Sequence, residues 1–157
     1  MKKIPTIFLQ IVVVLVGVVA FVFMLWEPHL EGRNVNATVF QIYFNDPFLA
    51  YAYIASIAFF VALYQAFKIL GFVRQNKTFS QATLKAVQTI RHCAMSLVGF
   101  VVGAEAYFFI AVRGKDDIAG GVAMGLFMIF TFTVVAAKAT MFEQILQNAL
   151  DAKLSNK

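Results

Sequence analysis

Apolar residues in this chain run in blocks and do not alternate with polar ones. Charge-free stretches extend from Ile4 to Trp26, from Pro47 to Phe67 and from Ile118 to Ala137, and a fourth from His92 to Val112 is interrupted only by Glu105. They hold 23, 21, 20 and 21 residues respectively. At a rise of about 1.5 Å per residue, each helix of that length crosses a hydrocarbon layer of about 30 Å. A helix pairs its own backbone groups, which is what a segment without access to water requires. The pattern therefore predicts an all-α, integral membrane four-helix bundle. It forms a single domain over residues 1–157, with spans at about 4–26, 47–67, 92–112 and 118–137.

Local signals fall at the edges of these blocks. Pro5 suits a first helical turn, and Asn45-Asp46-Pro47 supplies a capping side chain followed by a first-turn proline. Asp116-Asp117 precedes the last block, while Thr78 with Gln81, or Ser80, can cap a helix that feeds the third. From 79 to 91, Phe79, Ala82/Thr83, Ala86/Val87 and Ile90 recur at helical spacing, so the third helix is expected to extend beyond the membrane. Its apolar side can lie against anionic headgroups or fill a partner's groove, and a solvated basic flank is the simpler form of the same segment. Residues 27–46 are open to three arrangements: an interfacial segment, a cover over helix ends, or a short hairpin.

Composition changes the picture by excluding a water-soluble domain. Hydrophobic residues make up 61% of the chain and charged residues 13%, with eighteen Phe and six Met, and the mean hydropathy is +0.79. A soluble fold of this size leaves too much of its surface exposed to hide so much apolar material. The first block follows Lys2 and Lys3, as a secretory signal would. It outlasts a typical signal core of about 7 to 15 residues and lacks an Ala-x-Ala-like site, so it is expected to remain as a helix.

Thirteen Lys and Arg against eight Asp and Glu give a formal charge of +5. No Lys/Arg-rich run of the nucleic-acid-binding type occurs, so the lipid bilayer is the expected partner and nucleic acid is not. Lys2, Lys3, the middle-loop residues Lys68, Arg74, Lys77, Lys85 and Arg91, and the tail residues Lys138, Lys153 and Lys157 lie on one side of the predicted membrane. Only Arg33, Arg113 and Lys115 lie on the other. Basic residues are retained in the cytoplasm, so both termini and the middle loop are expected to face inward in the cell inner (plasma) membrane. The five-residue connection 113–117 makes the third and fourth spans adjacent and antiparallel.

The middle loop reads Arg74-Gln75-Asn76-Lys77-Thr78-Phe79-Ser80, then Thr83-Leu84-Lys85-Ala86-Val87 and Ile90-Arg91-His92-Cys93-Ala94. This run resembles the signature of a bacterial family of small four-span membrane proteins of unknown function. The likeness extends over the whole length through span number and loop spacing. It implies topology and no agreed activity; the small helix-turn-helix regulator often encoded beside such proteins is a genomic tendency of the family.

Glu105 is the sharpest candidate for chemistry. It lies seven residues inside Val112, about 10 Å from the outer end of its span. An ionisable group at that depth is costly and turns toward a bundle interior or a wet cavity, with a neutral or proton-exchanging carboxyl favoured. Depth matching places Tyr51, Tyr53, Ser56 and Gly125 near it, with a tyrosine or serine hydroxyl as the expected partner. Gly99 and Gly103, with Gly121 and Gly125, form two small-residue motifs expected to pack the third helix on the fourth. Trp26, Tyr43 and Tyr51 are expected interface anchors.

The lone Cys93 cannot form an internal disulfide, no Cys/His set has metal-ligand spacing, and no cofactor or catalytic constellation is indicated. Two functional readings follow. One is a non-enzymatic accessory or regulatory protein whose basic middle loop (Lys68, Arg74, Lys77, Lys85, Arg91) meets a membrane or cytoplasmic protein. The other is a small-solute or proton-coupled carrier using Glu105, built as a homodimer because four short helices enclose little volume.

Overall fold

The computed structural model describes residues 3–26, 36–112 and 118–155. Four long helices make the body: α1 (Lys3–Trp26), α3 (Pro47–Arg74), α4 (Gln81–Tyr107) and α5 (Ala119–Ser155). A short α2 (Val39–Asn45) precedes α3, and the chain leaves α4 through a π-helical turn, Phe108–Val112. No strand occurs among the described residues. All four long helices are long and apolar enough to span a membrane. The expected cap at Asp116-Asp117 and the residues Arg33, Arg113 and Lys115 fall outside the described residues, as does the side chain of Tyr43.

The long helices pack in chain order: α1 on α3, α3 on α4, α4 on α5. α1 turns its few polar residues toward α3. Thr6 and Gln10 are buried, and Gln10 Nε2 donates to the Phe67 carbonyl at 3.4 Å. Elsewhere large apolar side chains point outward, among them Phe23 and Trp26 on α1, Ile110 at 85% exposure, and Phe127 and Phe130 on α5. An apolar exterior over four helices suits hydrocarbon and is rare on water-soluble monomers.

Asp46 starts α3 as its position before Pro47 suggests. Its Oδ1 accepts from the amides of Phe48 at 3.1 Å and Leu49 at 3.3 Å, satisfying two donors that the first turn leaves open. The segment ahead of it is helical and not a hairpin. Thr38 Oγ1 accepts from Gln41 N while Gln41 Oε1 accepts from Thr38 N, a reciprocal capping box. Ile42 then buries itself almost completely, while Phe40 and Phe44 stay exposed as a tilted ring pair with centroids 4.5 Å apart.

Helices α3, α4 and α5 all run past the predicted membrane boundaries at one end, here called the basic end. α3 ends at Arg74 and α5 continues to Ser155, giving lengths of about 42 and 55 Å at the helical rise. At this end the molecule has its most closed core: Leu84 and Val87 of α4 against Ala139 and Leu146 of α5, with Ile69 and Phe142 packed on them. The apolar side of residues 79–91 is therefore not available to lipid or to a partner's groove, because α5 already covers it around Ala139 and Leu146. Phe79 is also not part of that face; the helix begins at Gln81, and Phe79 lies exposed before it.

A compact turn joins α3 to α4. Asn76 adopts φ 57°, Lys77 N donates to the Phe72 carbonyl at 2.8 Å, and Asn76 N donates to Val73 at 3.1 Å. This is the Schellman arrangement, with asparagine in the left-handed position. Ser80 caps α4 by accepting from Thr83 N at 3.3 Å. Thr83, fully buried, donates its hydroxyl to the Lys77 carbonyl at 3.1 Å and ties the turn to the helix.

Candidate functional site

Glu105 sits on α4 in the seam with α5 and is 9% exposed. Its carboxyl occupies the space where position 125 lacks a side chain. A Cβ built on Gly125 would collide with Oε1, lie 2.6 Å from Cδ and 3.2 Å from Cγ of Glu105. The glycine is thus the seat of the carboxyl. Oε2 is buried with no hydrogen-bond partner.

The hydroxyls expected to serve Glu105 are engaged elsewhere. Tyr51 donates to the Phe100 carbonyl at 2.8 Å, Tyr53 to the Met24 carbonyl at 2.9 Å, and Ser56 to the Tyr53 carbonyl at 2.6 Å. Each hydroxyl finds an acceptor on a backbone carbonyl, in three places. Tyr51 turns inward onto α4, where its ring meets Phe100 edge-on at 5.2 Å and its hydroxyl fills the space beside Gly103. It is a helix-packing residue and not an interface anchor.

The glycines divide by the face they occupy. Gly103 receives Tyr51 of α3, Gly121 receives the Phe108 ring at 3.3 Å, and Gly125 receives Glu105. Gly99 has nothing within 4 Å of an added Cβ, so it does not bring helices together in this chain. The two motifs are consequently not one continuous α4–α5 packing stripe; α4 presents Gly103 to α3, and the α5 glycines accommodate large side chains from α4 and the π turn.

Above Glu105, toward the α2 end, Phe48 stacks on Tyr107 at 5.7 Å and lies 5.2 Å from Phe108. The backbone N–H of Phe108 is shared between the Ala104 and Glu105 carbonyls as the helix widens into the π turn. Such widened turns recur at functional positions. No periodicity in the sequence announces this one.

Another buried carboxyl, absent from the sequence-based candidates, lies at the basic end. Glu143 of α5 accepts from Gln88 Nε2 through Oε1 at 2.9 Å, and its Oε2 lies 3.0 Å from Arg91 Nη1. The latter contact is an ion pair without hydrogen-bond alignment. His92 Nδ1 donates to the Gln88 carbonyl at 2.7 Å. The signal that would have found Glu143 is the run Ala139, Phe142/Glu143, Leu146 and Leu150, spaced three and four apart like any buried helical face.

This pairing removes Arg91 from the expected basic surface, because its guanidinium turns into the α4–α5 seam to meet Glu143. Lys68 places its ammonium 5.5 Å from the Tyr64 ring centroid. Arg74, Lys77 and Lys85 remain exposed around the turn. Among the described residues no three His, Cys, Asp or Glu side chains converge as metal ligands. At the α2 end a largely apolar groove of about 880 Å³ lies between α1, α2 and α3, lined in part by Phe21, Phe40, Phe44, Ile57 and Phe60.

Comparison with known proteins gives a relative of nearly the same length. The chain is 32% identical over 158 residues to the uncharacterized membrane protein YoaS of Bacillus subtilis (strain 168), covering 99% of this chain and 98% of that protein. No solved structure matches it. A family model matches residues 34–156, which take in α2 to α5, Glu105, Glu143 and the basic turn. The chain therefore belongs to the membrane protein family described as "Protein of unknown function (DUF2975)".

Proposed function

We propose that this chain is a non-enzymatic accessory or regulatory protein of the bacterial inner membrane, with both termini and the α3–α4 turn in the cytoplasm. The observation that carries this reading is the closed core at the basic end. Leu84 and Val87 of α4, Ala139 and Leu146 of α5, and Ile69 of α3 packed on them hold three helices together, so Arg74, Lys77 and Lys85 project from a fixed platform and not from a mobile loop. The excess of Lys and Arg at that end supports the orientation. A platform of exposed cations fits an acidic surface on a membrane or cytoplasmic protein, which it meets through charge complementarity.

Photocrosslinkers placed at Lys77 and Lys85 in intact membranes test the reading. A discrete protein adduct that disappears on charge reversal at Arg74 supports it; adducts with lipid alone overturn it. Cysteine labelling at both chain ends from the cytoplasmic side tests the orientation.

A second reading, a small-solute or proton-coupled carrier, is favoured by one observation. Glu105 holds a buried oxygen without a partner inside a span, and such groups mark ion or proton paths in membrane proteins. Solute flux and its pH response unchanged by Glu105→Gln would remove it.

A further inference from the structure

Three carboxyls are buried among the described residues, and the protein treats them differently. Asp46 accepts from the Phe48 and Leu49 amides at the start of α3. Glu143, at the basic end, is given a cation and an amide donor: Arg91 at 3.0 Å and Gln88 at 2.9 Å. Glu105, inside a span, is given a glycine seat. A buried ionised carboxylate without a counter-charge is among the most costly groups a protein can enclose, whereas a neutral acid forfeits only hydrogen bonds.

The surroundings of Glu105 supply no compensating charge from any packed element that is described. α5 has no titratable residue from Ala119 to Ala137, and the π turn has none. α3 offers Tyr51 and Tyr53, whose hydroxyls donate to the Phe100 and Met24 carbonyls. α4 itself offers Tyr107, whose ring stacks on Phe48. Arg113, Lys115, Asp116 and Asp117 lie outside the described residues.

We propose that Glu105 is a proton-binding site in the α4–α5 seam: the acid form is the one that packs against Gly125, and its ligand is a proton exchanged with the aqueous phase. This goes beyond the carrier reading, since a proton can be bound and released without any solute crossing the membrane.

The test is modification by dicyclohexylcarbodiimide, an apolar reagent that reacts with protonated carboxyls, on the full chain in native membranes, followed by peptide mass mapping. Glu105 acquires the adduct, Glu143 in the same sample does not, and Glu105→Gln abolishes it. Absence of an adduct at Glu105 overturns the proposal. Stability supplies an independent arm. Glu105→Gln, the neutral isostere, unfolds like the parent chain, while Glu143→Gln loses stability because Arg91 is left without its anion. Equal losses in the two variants overturn the proposal. An adduct at Glu105 without proton-linked flux keeps the site and removes the carrier; flux that depends on Glu105 without an adduct keeps the carrier and removes the protonated site.

Discussion

Arg91 and Glu143 clasp α4 to α5 at the basic end, their charged atoms 3.0 Å apart and the carboxyl buried while the guanidinium is about one-third exposed. Removing the cation strands a buried anion, so Arg91→Ala should cost more than an exposed pair would. Partial solvation of Arg91 lowers the loss below that of a fully enclosed pair, to about 1–3 kcal/mol. Denaturant titration in detergent measures it. The double variant with Glu143→Ala should be less than additive, because the second change removes the stranded charge. Strict additivity would show that the two side chains do not act on each other.

Gly125 and Glu105 form the corresponding contact inside the membrane. A methyl group at 125 overlaps the carboxyl and approaches Glu105 Cγ to 3.2 Å, so the side chain or the helix must shift. Gly125→Ala should destabilise by about 1–3 kcal/mol, the range for overpacking a closed seam. Shortening the opposing residue in Glu105→Ala/Gly125→Ala should restore much of that loss, measured by thermal unfolding of the four proteins. No recovery in the double variant would mean that the methyl group meets something other than the carboxyl.

Much of the architecture is legible in the sequence because the bilayer imposes length and composition on each span. The uncharged runs mark four helices, and Asp46 with Pro47 marks where α3 begins. The reach of the helices beyond the membrane is less visible. Past Lys138 the tail contains Glu143, Gln144, Gln147 and Asn148, and composition alone makes it look solvated. Its apolar residues matter only once α4 is present to receive them, so pairing of two distant segments decides their burial. The Glu105–Gly125 proximity follows from counting depth along two antiparallel spans. Hydroxyl partners do not follow from depth: Tyr51 reaches Phe100 because the rotation of α3 aims it there, and rotation is fixed by packing.

The basic-end core makes its own prediction. Leu146 is fully buried, whereas Leu154 on the same helix is 68% exposed. Leu146→Ala should therefore cost about 2–5 kcal/mol through lost transfer energy and a residual cavity. Leu154→Ala should stay within about 0.5 kcal/mol of the parent. Amide exchange resolves where the effect falls: the turns of α5 around Ala139 to Leu150 should lose protection in the first variant only. Protection lost equally in both would show that the tail is not held by this core.

The turn that carries the exposed cations depends on one backbone conformation. Asn76 sits at φ 57°, where a Cβ-bearing residue without a small polar side chain is disfavoured by roughly 1–2 kcal/mol. Asn76→Gly should leave stability nearly unchanged, and Asn76→Val should lower it by about that amount. The functional consequence separates from the stability one. Lys77 N closes the turn on Phe72 and the Lys77 carbonyl accepts from buried Thr83, so the valine variant should also disturb the direction in which Lys77 projects. Crosslinking from position 77 should then fall more than crosslinking from position 85, which lies inside α4 and keeps its place. Equal yields from the two positions in Asn76→Val would show that the turn contributes stability alone and does not aim the basic surface.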